Sequence, residues 1–185
     1  SVPILRHKVS DFLADDIEKF VLTKLDKLKE DKDQFNDFYV EEKVLDLKVD
    51  LPDLYQEILQ CRDVFEQNTS ILSSREKFQY WIQDYRTENH LHELHSHGVY
   101  GLSGIYWVRA NSDAGQLCFK NPNILAHYQD TAPSNSPFAF KKVLYPPEKG
   151  IILFFPSYLE HEVLKGSNGI VRTTIAFNFG MKEHE

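Results

Sequence analysis

At 185 residues, with 42% hydrophobic and 13% aromatic side chains, the chain suits one domain with a sizeable core and is too apolar for a disordered segment. Its formal net charge of −7 argues against nucleic acid or an anionic membrane as a partner, since both want a basic face. No window approaches the roughly 20 apolar residues of a membrane span. The N-terminus lacks the basic-then-apolar plan of a signal peptide, and Cys61 and Cys118 form no CxxC, so a reducing, cytoplasmic setting is expected.

Residues 1–9 can begin with a short strand. A helix is expected over about 15–29, where Ile17, Phe20, Val21, Leu25 and Leu28 recur at helical spacing, with acidic residues at its start and lysines near its end. Segment 30–37 reads as a charged loop and 44–49 as a strand or turn. A second helix opens at Leu51-Pro52-Asp53 and runs to about Asn68, with Leu54, Ile58, Cys61 and Phe65 as its buried stripe. Both helices are expected to brace a sheet. From Lys77 onward the pattern is of strands: 78–86, 102–110, 116–120, 140–145, 151–155, 162–165 and 170–179, the last two joined as a hairpin through Gly166-Ser167-Asn168-Gly169. The connection 121–139, rich in Pro, Asn and Ser yet carrying Ile124, Leu125, Tyr128 and Phe138, reads either as a mobile lid that selects substrate or as a connecting loop whose apolar residues pack on the sheet. Helices followed by seven or eight short strands imply a mainly β fold with N-terminal helices, a sandwich or barrel such as a jelly roll. One domain is expected, with helical support over 1–76 and a jelly-roll core over 77–180.

Four of the eight histidines fall in Glu88-Asn89-His90-Leu91-His92-Glu93-Leu94-His95-Ser96-His97. Imidazole is the commonest side-chain metal ligand, and in an extended segment His95 and His97 share a face. Near the C-terminus, alternation puts Ile170, Arg172, Thr174, Ala176 and Asn178 on one face of a strand, and Val171, Thr173, Ile175, Phe177 and Phe179 on the other. An arginine, a hydroxyl and an amide on one face suit a polar cavity in which the guanidinium forks onto a carboxylate.

Taken together, His95-Ser96-His97, Ser103-Gly104-Ile105-Tyr106-Trp107, Phe155-Pro156-Ser157-Tyr158-Leu159-Glu160-His161 and Arg172-Thr173-Thr174-Ile175-Ala176-Phe177-Asn178 resemble the 2-oxoglutarate- and Fe(II)-dependent oxygenases. The likeness is to their phage and bacterial His-x-His…His…Arg branch, whose sequences carry Ser-Gly-Val-Tyr-Tyr, Phe-Pro-Ser…His and Arg-x-Ser-x-x-Phe-Asn. The resemblance implies a double-stranded β-helix and Fe(II) held by His95, His97 and His161. It also implies 2-oxoglutarate chelating the metal with its distal carboxylate on Arg172, Thr174 standing in for the usual serine, and Tyr106, Gln83 and Asn178 in the cofactor pocket. The implied reaction is hydroxylation of an unidentified small-molecule or protein substrate, using dioxygen and releasing succinate and CO2. A homodimer is left open. Two departures stand out. His97 occupies a position where most of the superfamily carries a carboxylate, and Glu93, the nearest spare carboxylate, would need an awkward local backbone to replace it. Gln83 stands where the branch tends to have Asn. His90 and His92 are expected at the mouth or surface, and metal loading is expected to fall as pH drops through roughly 6.5. Two other readings of the same residues are a three-histidine cupin-like dioxygenase working without 2-oxoglutarate, and a non-catalytic metal- or ligand-binding module.

Overall fold

The structure, a computed structural model, describes residues 2–28, 35–36, 39–40, 44–98, 100–123, 140–167 and 169–182. Helix α1 (Asp11–Leu28) starts where the Ser10 hydroxyl accepts from the Leu13 N–H at 3.2 Å, a serine N-cap. It buries Ala14, Ile17, Val21 and Leu25, while Phe20 and Leu28 of the expected stripe are only partly buried. The stretch read as a strand or turn is a single helical turn, α2 (Leu47–Asp50). The valines at 44 and 49 favour extended chain, but Asp46 accepts from the Lys48 N–H at 3.0 Å and caps a helix instead. Helix α3 (Pro52–Thr69) has proline in its first turn and ends at Ser70, which adopts φ 60°. It buries the expected Leu54, Ile58, Cys61 and Phe65, with Leu59 and Arg62 in addition. No helix among the described residues is long and apolar enough to cross a membrane.

The strands are β1 (Leu5–Lys8), β2 (Phe35–Asn36), β3 (Tyr39–Val40), β4 (Ser73–Tyr85), β5 (His92–His95), β6 (Tyr100–Ala110), β7 (Leu117–Lys120), β8 (Lys142–Tyr145), β9 (Ile151–Pro156), β10 (His161–Val163) and β11 (Arg172–Met181). They form two antiparallel sheets, a seven-stranded one ordered β1-β9-β6-β11-β4-β3-β2 and a four-stranded one ordered β5-β10-β7-β8. Helices cover one face of the large sheet and the small sheet covers the other. Strand β9 shows the division: Ile152 and Phe154 pack with Ile17, Ile58 and Phe65, whereas Ile151, Leu153 and Phe155 pack with Leu117, Phe119 and Val163. This is the jelly roll expected from the order of elements.

Three details differ from the sequence reading. The first 76 residues are more than helical support, because β1 pairs with β9 and β3 with β4 inside the large sheet. Strand β4 also begins at Ser73, ahead of the apolar residues that announced it, since its polar start pairs with the end of β11. The expected hairpin of 162–165 with 170–179 does not form: β10 belongs to the small sheet and β11 to the large one. The glycine-rich turn carries the chain between sheets and packs backbone to backbone against the 111–115 turn. The Ser167 N–H donates to the Asp113 carbonyl at 2.9 Å, and a Cβ on Gly115 would lie 1.7 Å from the Leu164 oxygen. Only glycine fits at 115. Of the connection read as lid or loop, residues 124–139 lie outside the described residues.

Candidate active site

The two sheets enclose a cavity, and the small sheet brings histidines into it. Strand β5 pairs with β10 so that His95 faces His161 and His92 faces Val163, with a register shift between. Three steps along β5 therefore match two along β10, a bulge with one extra residue. Plain alternation would set His92 and His95 on opposite faces, and the extra residue turns both inward. Their rings stack with centroids 3.9 Å apart. His97 follows the strand and is anchored by its own N–H, which donates to the Ser157 carbonyl at 2.7 Å. The rings of His95, His97 and His161 lie with centroids 4.3, 5.0 and 5.2 Å apart, and one nitrogen of each falls within 4.8 Å of the others.

Local hydrogen bonds set which nitrogen is free. His95 Nδ1 lies 2.6 Å from the Glu93 carbonyl and His161 Nδ1 lies 2.8 Å from the Leu159 carbonyl. A carbonyl can only accept, so Nδ1 carries a proton in both rings, and it is Nε2 whose lone pair the neutral ring offers to a ligand. Burial, assisted by neighbouring imidazoles, holds His161 down to about 3 and His97 down to about 4. His92 is held to about 4 by burial and by His95, His97 and Arg172. These rings are neutral at pH 7, the form that binds metal, and proton competition at His97 and His161 begins well below the expected 6.5.

A stability consequence follows for the metal-free protein. In the unfolded chain these imidazoles take up protons near pH 6.5. The folded chain resists until about pH 4 at His97 and about 3 at His161. Between those values the unfolded state binds more protons, so stability falls as pH falls. From pH 7 to pH 5, above most carboxylate titration, His161 alone should cost on the order of 2 kcal/mol. Urea midpoints measured with chelator present should drop across this window, and by less in His161→Gln. Flat wild-type midpoints would contradict the buried, neutral assignment.

The large sheet supplies the other wall. As expected from alternation, Arg172, Ala176 and Asn178 line the cavity and Ile175, Phe177 and Phe179 join the helix-side core, but Phe177 also reaches the cavity lining and Thr174 does not. Arg172 is 1% exposed, donates from Nη1 to the Gly115 carbonyl at 2.5 Å and stacks 4.8 Å above the Tyr85 ring. Among the described residues its Nε finds no partner, and no Asp or Glu pairs with it. Burial lowers its pKa, though guanidinium stays charged at any ordinary pH. A buried cation without a counter-ion is costly, and a ligand carboxylate would satisfy it. Thr174 is fully buried and donates to Gln83 Oε1 at 3.1 Å, holding that amide on the cavity wall. Asn178 Oδ1 accepts from Ser103 Oγ at 2.7 Å, and Ser103 lies 2.8 Å from Ser157 Oγ.

Other expected residues fall elsewhere. Tyr106 is not in the cavity: it sits in the helix-side cluster, with Glu18 and Asp15 of α1 near enough to help burial raise its pKa. Strand β6 is buried on both faces, and its cavity side carries Ser103 and Ile105 instead. Glu93 is exposed and gives the site only its backbone carbonyl. His90 closes a turn, accepting from the Arg86 N–H at 3.0 Å. His92, expected at the mouth or surface, is half-buried and lines both the open groove at the mouth and the cavity wall, with its Nε2 3.1 Å from the Tyr39 hydroxyl. Sequence reasoning also missed Trp81, which lines the cavity two residues before Gln83 on β4. Applying the same alternation to β4 would have found it.

Three convergent imidazoles suit a borderline divalent transition metal, and three ligands leave positions open for a chelating ligand. A family model described as "Putative 2OG-Fe(II) oxygenase" matches residues 79–178, which hold all three histidines, Arg172 and Asn178. A comparison with curated protein sequences gives no match. Among solved structures, a Pseudomonas putida prolyl-4-hydroxylase is 13% identical with a TM-score of 0.67, over 99% of this chain and 95% of that one. AviO1 from Streptomyces viridochromogenes is 16% identical with a TM-score of 0.64, over 100% and 92%. HygX from Streptomyces hygroscopicus, solved with nickel and 2-oxoglutarate bound, is 13% identical with a TM-score of 0.58, over 98% and 83%. At these identities the structures share the fold, and the family match covers more than half of the sequence, so the chain belongs to the 2-oxoglutarate/Fe(II) oxygenase family.

Proposed function

We propose that the protein is a 2-oxoglutarate-dependent hydroxylase in which His95, His97 and His161 hold Fe(II) and Arg172 holds the distal carboxylate of 2-oxoglutarate. The observation that carries this reading is one cavity containing three convergent imidazoles and a buried arginine without a carboxylate partner among the described residues. When bound, iron and 2-oxoglutarate supply oxidation by dioxygen, with succinate and CO2 released and an oxygen atom passed to substrate. The chain's own part is to bind, orient and exclude water. The Nδ1 bonds of His95 and His161 aim their Nε2 lone pairs. The Gly115 carbonyl and the Tyr85 ring fix the Arg172 fork before any ligand arrives. Gln83 and Asn178, each locked by a buried hydroxyl, present amides along the same wall.

Anaerobic titration of the Fe(II)-loaded protein with 2-oxoglutarate tests this directly. A visible metal-to-ligand charge-transfer band saturating at one equivalent is expected, followed by succinate when oxygen is admitted. Absence of the band would favour a three-histidine dioxygenase working without 2-oxoglutarate. A band with no succinate, even with candidate substrates, would leave a binding module.

A further inference from the structure

We infer that the cavity holds a second anion beyond 2-oxoglutarate, the carboxylate of an organic anionic substrate, at the end of the cavity lined by Trp81 and Asn178. The inference rests on the iron and 2-oxoglutarate reading above. It begins from a charge count. Two positive charges on iron and one on Arg172 meet two negative charges on 2-oxoglutarate, and imidazoles, which bind metal in their neutral form, add none. One positive charge remains in a largely desolvated site, where an uncompensated charge is expensive. A carboxylate at position 97 would close the count, but His97 does not.

Nothing in the described wall closes it either. The residues lining the cavity include five that carry imidazole or guanidinium and no Asp or Glu. Asp84, next to Gln83 on β4, faces away from the cavity, where it accepts from Thr173 Oγ1 at 2.7 Å and meets Arg109 at 3.4 Å. Glu93 is exposed in the groove outside the mouth, where water and salt screen it. The excess is local, since the chain as a whole carries −7.

The wall also shows where an anion would sit. Arg172 occupies one end of β11, and Trp81 faces Ala176, roughly 13 Å further along the strand at its usual rise. Trp81 lines the cavity, and its buried Nε1–H finds no acceptor among the described residues. A buried donor left unpaired is costly, and an anion is the acceptor that repays it best. His97 lies towards this end, tied through Ser157 and Ser103 to Asn178. With 2-oxoglutarate on Arg172, the Trp81 end is what remains for substrate.

The test reads the charge-transfer band of the anaerobic Fe(II)·2-oxoglutarate complex while sodium acetate, its neutral isostere acetamide, or sodium chloride is added. Acetate is expected to shift the band saturably, acetamide to leave it unchanged, and chloride to require at least tenfold higher concentration. Trp81→Phe keeps the ring but removes the donor, and should weaken the acetate response about tenfold while the band still forms. His97→Asp supplies the missing negative charge and should abolish the acetate response. No shift with acetate, an equal shift with acetamide, or an unaltered acetate response in both variants would overturn the inference. Chloride acting as tightly as acetate would assign the position to a free halide and overturn the substrate assignment. Failure of the band itself would instead sink the co-substrate reading on which this rests.

Discussion

His161→Ala is expected to leave the protein without stoichiometric iron and without 2-oxoglutarate turnover. Of the three convergent rings it is the most buried, at 6% exposure, and its Nδ1 bond to Leu159 commits Nε2 to the cavity. Losing one of the three proposed ligands would remove a metal bond and also the ring against which His95 and His97 pack, with centroids 4.3 and 5.2 Å away. The fold should persist, because the β5–β10 and β7–β10 ladders run through backbone groups that alanine keeps. Iron content by elemental analysis, paired with circular dichroism, separates a lost ligand from a lost fold. His90→Ala is the matched control. It forfeits the bond from the Arg86 N–H, worth about 1 kcal/mol, and should retain iron and turnover. His97→Ala probes the unusual ligand, and full iron occupancy with full activity in that variant would refute the three-histidine assignment.

What could be read in the sequence, and what could not, divides along physical lines. The two helices were visible because their apolar stripes face a core, so burial follows the 3.6-residue period. The Arg172 face was visible because β11 runs unbroken beside β4 from Arg172 to Phe179, so period two holds for its whole length. The sequence puts His92 at the mouth alone, whereas it lines the cavity as well, because one extra residue in β5 reverses the face of everything before it and no residue type marks that bulge. Tyr106 was misplaced for a different reason. Buried on both sides, β6 reads as apolar almost throughout, so its pattern cannot say which face meets helices and which meets the cavity. The hairpin error is of the same kind: Gly-Ser-Asn-Gly marks where the chain turns, while the choice of sheet depends on contacts with the 111–115 turn far away in sequence.

Arg172→Ala should weaken 2-oxoglutarate binding by tens of fold or more, with iron affinity nearly unchanged. Truncating one partner of a desolvated, charged pair typically costs about 2–5 kcal/mol, and each 1.4 kcal/mol is tenfold in affinity. The guanidinium is 1% exposed and unmatched by any described carboxylate, so little competes with a ligand for its charge. Part of the effect in this variant would be structural. Alanine strands the Gly115 carbonyl, which now accepts from Nη1 at 2.5 Å, and empties the space above the Tyr85 ring. Arg172→Lys resolves the two contributions, since it keeps a charge and a donor but cannot fork onto a carboxylate. If the fork matters, the lysine variant should hold its melting temperature close to wild type yet bind 2-oxoglutarate several-fold less tightly, as read from the charge-transfer titration. Position on the strand also predicts separation from the metal: the variants should take up Fe(II) at one equivalent, because His95, His97 and His161 come from the β5–β10 side of the cavity. Wild-type 2-oxoglutarate affinity in both variants would remove Arg172 from the site and leave it as a cation buried for packing alone.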